Sequence, residues 1–563
     1  MREQHTAAAT AAATAAATVA EPAPAVSGAA RTVTLTSIGR AAIPEAIREA
    51  AIKETQPAGT EARPAGRETE PAGTEARPAG RGTEPAGRET ELAGTEAGLA
   101  AMRELTALTL DALDGGRRRR GGPIPAGGPG AVACDVRRSV GPVLPETGTG
   151  ARRALRDIVG AVSAGAADPA DPLCAAHLHG PPLAVAAAAD LAACVLNPSM
   201  DSWDQAPAAG ELERLVTDAI AGLVYPRAAG PDALITTGAT ESNLVALLLA
   251  RERLGEGVRA VCSAEAHHSV GRAAWLLGLP PPVPVRTSGG RLDPGALAET
   301  LAAVPGPHFV VATAGTTGRG VIDPIGEIAD VAARHGAHLH VDAAYGGGLL
   351  FGGRRRRLLD GLDRADTVAV DLHKLGWQPL AAGALAVRSA AALAPLSVLA
   401  DYLNATDDQE AGFPDVLGRS IRTSRRPDAL KIAVTFQALG RAGLAELADR
   451  CCDAAQTLAE LVEARPGLRL LARPEISTVL FRPAAADALP VAEGNLLVAG
   501  VRRALLMAGA AVVGRTLVPE DGRLWLKLTL LNPDITPARL GELLDLVESA
   551  AAARNPAREG GTP

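Results

Sequence analysis

Residues 233–254 read ALITTGATESNLVALLLARERL. A short apolar run, Ala233 to Thr236, has the length of a buried strand, Gly238 supplies a turn, and from Ala239 onward Leu244, Leu247 and Leu248 recur at helical spacing. A strand that turns directly into a helix is the repeating unit of α/β folds with parallel sheets. The start of the helix offers backbone N–H groups, the hydroxyls of Thr237 and Thr240 and the positive end of the helix dipole, which together suit an anion such as phosphate. Small residues and threonine also serve as ordinary helix caps, so this segment alone defines a fold element and not a ligand.

The same pattern recurs outward along the chain. VRAVCSA (258–264), HFVVATAG (308–315), HLHVDAAY (338–345) and TVAVDLHK (367–374) each read as a buried strand running into a polar loop, with helical stretches between them. Open parallel sheets place ligands beyond the carboxyl ends of their strands, which is where these loops fall. Asp342 ends one such strand and is followed by small residues; a carboxylate buried there needs a cationic or hydrogen-bonding partner, unless it caps the following turn. Lys374 lies 374 − 342 = 32 residues later, enough for one helix and a return to the next strand end. Of the 56 basic residues only four are lysine, at 53, 374, 431 and 527. A lysine amine, unlike a guanidinium, can lose its proton when desolvated and condense with a carbonyl. His267 or His268, after a further strand, could stack an imidazole on a ring.

Composition bounds the remaining possibilities. Hydrophobic residues make up 47% of the 563 residues but aromatics only 2%, so the core is built from Ala, Leu and Val. A net charge of −7 gives no reason to expect nucleic acid or an anionic membrane as a partner, and the arginine runs 117–120 and 354–357 read as solvated loops. Six cysteines form no CxxC pair and no zinc-type spacing with histidine, so no metal is expected and reduced thiols are the simplest account. Asp190 and Arg388 interrupt the best apolar stretches, and the Ala/Thr-rich N-terminus lacks a secretory h-region; the expectation is a cytoplasmic protein with no membrane span.

The unit ETQPAGTEARPAGR at 54–67 recurs as ETEPAGTEARPAGR at 68–81. Such a Pro-, Gly- and charge-rich repeat buries too little apolar surface to offset chain entropy, which predicts disorder. The expected organisation is a low-complexity tail over 1–98, a helical segment over 99–200, a large cofactor-binding domain over 201–400, a mobile loop and smaller C-terminal α/β domain over 401–553, and a short tail over 554–563.

A phosphate-binding turn, a stacking histidine, a buried aspartate and a Schiff-base lysine, in that order, describe a pocket for pyridoxal 5'-phosphate. The chain resembles the group II pyridoxal-phosphate-dependent amino acid decarboxylases over roughly residues 100–550. The likeness rests on GGPIPAGGP, AHLHGPP, LNPSMDSWDQAPAAGELE, TTGATESN, AHHSV, ATAGTTGRGVIDPI, HVDAAYGG, DLHKLGWQP, DYLNATDDQEAGFP and LKLTLLNPDIT. HLHGPP and SMDSWDQAPAA are most similar to the branch acting on diaminobutyrate and lysine. The resemblance implies fold type I, aspartate aminotransferase-like, with a mostly parallel sheet in the large domain, and a homodimer with active sites near the interface. It implies that Lys374 forms the Schiff base, Asp342 pairs with the pyridine nitrogen, and His267 stacks on the ring with His268 as its neighbour. Ala344 then leaves room beneath the ring, Ala239 and Thr240 form the phosphate turn, and Thr317 and His373 contact the cofactor. His177 and His179 fall near the substrate side chain, and Asp201 and Asp204 are carboxylates that could attract a distal ammonium, or else only brace loops. The expected substrate is a diamino acid: 2,4-diaminobutyrate, ornithine or lysine. The competing readings are an aminotransferase of the same fold, a decarboxylase of aromatic or acidic amino acids, and a catalytically silent binding protein. Two departures stand out. The family's mobile loop often presents a tyrosine, whereas here Phe413 occupies its middle and the one Tyr is at 402; and Gly180 replaces a cysteine frequent in the diamino branch.

Overall fold

A computed structural model describes residues 90–554. The repeat tail, up to residue 89, and residues 555–563 lie outside the described residues. The helix expected from residue 99 begins earlier, at Glu96, because the Thr95 side chain accepts the Gly98 N–H and caps it. It runs to Arg120, so the first arginine run is its last turn and not a loop. Those cations sit at the negative end of the helix dipole, ahead of the left-handed cap Gly121, and Arg120 pairs with Asp168. The second run is likewise engaged, with Arg355 bonded to Asp449 and Asp453.

Among the described residues thirteen strands follow: β1 Asp232–Thr236, β2 Arg259–Ser263, β3 Val283–Val285, β4 Thr287–Ser288, β5 Arg291–Leu292, β6 His308–Thr313, β7 His338–Ala343, β8 Thr367–Asp371, β9 Gly383–Val387, β10 Leu468–Leu470, β11 Thr478–Pro483, β12 Gly514–Val518 and β13 Arg523–Thr529. Seven of them form the main sheet in the order β1-β9-β8-β7-β6-β2-β3, in which β9 is antiparallel to both neighbours and the other pairings are parallel. Both faces are covered, which is why most of the strands read as largely apolar runs. Along β6, Val310 and Ala312 pack with Ile220, Leu297 and Ile328 on one face, while Phe309 and Val311 pack with Leu247, Val270 and Ala274 on the other. Each Val, Leu, Ile or Phe among them contributes about 1.5–3 kcal/mol when fully buried. A one-residue slip would exchange the two faces, so register is firmly held.

The smaller sheet, β10-β11-β13-β12, is antiparallel throughout and packs with helices Val491–Met507 and Pro537–Ala552. The boundary between the two cores does not fall at 401. It runs through one helix, Ala429–Glu463, broken at Gly440, whose φ of 61° is in the left-handed region that favours glycine. Its residues Ile432, Ala445 and Ala448 belong to the large core, and Ala455, Leu458 and Val462 to the small one. Helical periodicity shows that a face is buried, not which core buries it. The segment expected as N-terminal, 99–200, also enters the small core: Ala175 N–H donates to Val512 O at 3.0 Å, and Ala175 O accepts from Thr529 N at 2.7 Å. No described helix is long and apolar enough to cross a membrane.

Candidate active site

The parallel strands aim their carboxyl ends at one side of the sheet. The loops beyond β1, β6, β7 and β8 meet there around a cavity of about 270 Å³, together with His267 after β2 and with Leu178 and Leu380. A larger cavity of about 620 Å³ opens at the opposite end, beside Asp366, Thr367 and Arg388, where β8 starts and β9 has ended; strand direction, not size, separates the two.

The smaller cavity is lined by Thr237, Gly238, Ala239 and Thr240 at the start of helix Ala239–Leu254, and by His267, Thr317, Asp342, Ala344, Asp371, His373 and Lys374. Gly238 is required by its surroundings: its φ is 148°, and a Cβ there would stand 3.0 Å from His373 Cε1. Asp342 is buried, accepting from Asn243 Nδ2 at 2.9 Å and from Ala344 N at 3.1 Å. Lys374 Nζ lies 2.9 Å from Asp371 Oδ2, while Asp371 Oδ1 takes the Ala239 N–H at 2.7 Å. His373 Nδ1 donates to Ala382 O at 2.8 Å, and burial lowers its pKa; burial does the same for His267, against the opposing pull of Asp342. Both imidazoles are therefore neutral near pH 7.

Behind Asp342, His340 and His338 share its face of β7, at the period-two spacing of a strand. Burial pushes both down to about 4. Stability held by such neutral histidines is fully present above the unfolded value of about 6.5 and is lost as pH falls toward 4, because the unfolded chain takes up protons that the folded site refuses. The denaturant midpoint of the apoprotein is expected to fall between pH 6.5 and 5, with each histidine adding a slope of at most about 1.4 kcal/mol per pH unit. His338→Gln should reduce that slope; a midpoint flat with pH over this interval would contradict the buried neutral pair.

Not every residue singled out in the sequence reaches the cavity. His177 and His179 are exposed beside it, and Leu178 between them is the residue that lines it. Asp201 is bound within its own loop, to Ser199 and Gln205 at 2.7 Å each. Asp204 lines a separate cavity of about 210 Å³ with Asp408 and Phe413, and Phe413 packs on Trp203 at 5.0 Å between ring centroids. Tyr402 is 83% exposed and absent from the cofactor-sized cavity. Gly180 fits tightly, since a Cβ would lie 3.2 Å from Leu531 O.

Four residues here escaped the sequence reading. Asn243 sits four positions after Ala239 on the same helical face, and Asp371 ends the strand that carries Lys374, so spacing alone could have found both. Ser269 bonds to His267 Nδ1 at 2.8 Å. Lys527 needed the fold. It is 8% exposed, burial lowers its pKa, its Nζ donates to Thr317 O at 3.0 Å, and no acidic partner holds it among the described residues.

An amine, a carboxylate, two neutral imidazoles and a helix N-terminus around one small cavity are the donor set that pyridoxal phosphate requires, and Ala344 leaves a flat wall for its ring. The family model for the pyridoxal-dependent decarboxylase conserved domain matches residues 137–484. The chain belongs to the pyridoxal-dependent decarboxylase family. It is similar to an L-2,4-diaminobutyrate decarboxylase of Rhizobium meliloti (strain 1021), 41% identical over 420 residues that cover 72% of this chain and 83% of that protein. A second L-2,4-diaminobutyrate decarboxylase, from Acinetobacter baumannii, is 32% identical, covering 67% and 79%. Among solved structures, the glutamate decarboxylase domain of a diaminobutyrate-pyruvate transaminase and L-2,4-diaminobutyrate decarboxylase from Vibrio parahaemolyticus superposes with a TM-score of 0.72 at 29% identity, covering 83% of this chain and 98% of that one. This decarboxylase is thus a fold-type I enzyme of amino acid metabolism that uses pyridoxal phosphate to release carbon dioxide.

Proposed function

We propose that this decarboxylase acts on a small diamino acid, L-2,4-diaminobutyrate before ornithine or lysine, as a cytoplasmic homodimer. The observation that carries the substrate is the 41% identity to the Rhizobium meliloti L-2,4-diaminobutyrate decarboxylase over most of both chains. Lys374 would hold the cofactor covalently, and the turn at Ala239 and Thr240, with Thr317 and His373, would receive its phosphate end. When bound, pyridoxal phosphate supplies the electron sink into which the bond from Cα to the carboxylate can empty.

The chain's own residues then have separate tasks. Asp342 would hold a proton on the pyridine nitrogen, His267 would stack on the ring, and Ala344 would leave room for it. Lys374, with its amine 2.9 Å from Asp371, would be placed to return a proton to the reacting carbon. Burial of the cavity floor keeps water from the reacting carbon. Lys527, buried beside Thr317 with no acidic partner among the described residues, is suited to a substrate carboxylate.

One observation favours a second reading. Lys527 and Arg502 both bear on His177, holding its pKa down further than burial alone, and such a positive rim would also suit an acidic side chain. Comparison of kcat/KM decides. L-2,4-diaminobutyrate is expected to exceed glutamate, aspartate, tyrosine and tryptophan by at least about tenfold, or about 1.4 kcal/mol of transition-state discrimination. Glutamate or an aromatic amino acid winning by that margin would overturn the diamino acid choice.

A further inference from the structure

Asn243 lies one turn into helix Ala239–Leu254, is 2% exposed, and bonds three ways at once. Its Nδ2 is 2.9 Å from Asp342 Oδ2 and 2.8 Å from Ser269 Oγ, and its Oδ1 is 2.9 Å from His340 Nε2. These contacts leave one consistent set of protons. Turning the amide over would set its oxygen against the Asp342 carboxylate, so Nδ2 faces Asp342 and Oδ1 faces His340. His340 must then carry its proton on Nε2, and its Nδ1 accepts from Thr367 Oγ1 at 2.8 Å. Ser269 Oγ, 2.8 Å from His267 Nδ1, could donate to that nitrogen or accept from it, but the Ser269 N–H points to the same nitrogen at 3.4 Å, so Nδ1 accepts and Ser269 Oγ gives it its proton. His267 is thereby left with its proton on Nε2.

We infer that Asn243 is a positioning residue that fixes the Asp342 carboxylate and the His267 tautomer together, with His340 as the group that orients its amide. The inference rests on the reading that Asp342 and His267 serve the cofactor ring. Asn243 touches neither substrate nor reacting atoms, and an amide does not relay protons at neutral pH, so the network sets orientation and is not a proton wire. Its logic is economical: the helix that presents Ala239 and Thr240 to a phosphate also supplies, one turn later, the donor that aims the two groups flanking the ring.

The test uses two isotopic readouts. In apoenzyme labelled with ¹⁵N-histidine, NMR reports which ring nitrogen of His267 carries the proton; in holoenzyme loaded with pyridine-¹⁵N pyridoxal phosphate, it reports the state of the ring nitrogen. Ser269→Ala is expected to move His267 from a single Nε2–H form to a mixture while leaving the pyridine signal near wild type, and Ser269→Thr, which keeps the hydroxyl, should restore the single form. Asn243→Leu, close in shape but without polar atoms, should shift both signals, weaken cofactor binding by about tenfold and lower kcat by more than KM rises. A folded Asn243→Leu enzyme with wild-type signals at both sites would overturn the inference. If that variant does not fold, an unchanged His267 signal in Ser269→Ala overturns it instead. An unprotonated pyridine nitrogen in wild-type holoenzyme would sink the proposed role of Asp342, a different failure, and the apoenzyme histidine spectra would still decide the tautomer.

Discussion

Lys374→Ala is expected to release no measurable carbon dioxide from any amino acid, a loss of at least roughly a thousandfold, because among the described residues no other amine is placed to hold the cofactor covalently. The other lysines make the prediction sharp. Lys431 is buried and ion-paired with Asp190 at 3.3 Å and Asp428 at 3.1 Å. Lys527 is the stronger rival, since it is buried without an acidic partner, but its amine is turned to the Thr317 carbonyl. Lys53 lies outside the described residues. Borohydride reduction followed by peptide mapping should place the cofactor on Lys374, and a label on Lys527 would refute the assignment. The variant should still fold: its lost partner, Asp371, keeps the Ala239 N–H, so the destabilisation is about 1–3 kcal/mol.

Asp342→Asn is expected to lower kcat by about a hundredfold or more with far less effect on stability. The single amide oxygen can keep the Ala344 N–H or the Asn243 Nδ2–H but not both, a loss of about 1–3 kcal/mol, and it cannot hold a proton on a pyridine nitrogen by charge. The measurement is kcat at saturating cofactor alongside a thermal melt. A rate near wild type with full cofactor occupancy would remove Asp342 from the chemistry.

Much of the fold was legible because its signals are local. Strand β6 and strand β7 are buried at every position, with apolar residues at their centres, and each runs into a loop with a distinct chemical inventory, which is how Asp342 and Lys374 could be assigned to one crevice from spacing. What was not legible depends on contacts distant in sequence. Nothing near Lys527 marks it as unpaired; that follows from the 210 residues separating it from Thr317 and from the packing of β13. The shared helix Ala429–Glu463 hides the boundary between cores for the same reason. The acidic residues Asp201 and Asp204 looked available in the sequence because local hydrogen bonding is invisible there, yet Ser199, Ser202 and Gln205, their immediate neighbours, occupy them. His340, in contrast, was readable as a same-face neighbour two positions before Asp342, but its role appears only with Asn243 beside it.

The central claim is that the bond broken is the one between Cα and the carboxylate of a diamino acid. Holoenzyme given L-2,4-diaminobutyrate labelled with ¹³C at the carboxyl carbon tests it in a single vessel. Equal amounts of labelled carbon dioxide and propane-1,3-diamine are predicted. Substrate consumed with the label retained in a keto acid, and no carbon dioxide released, would contradict it.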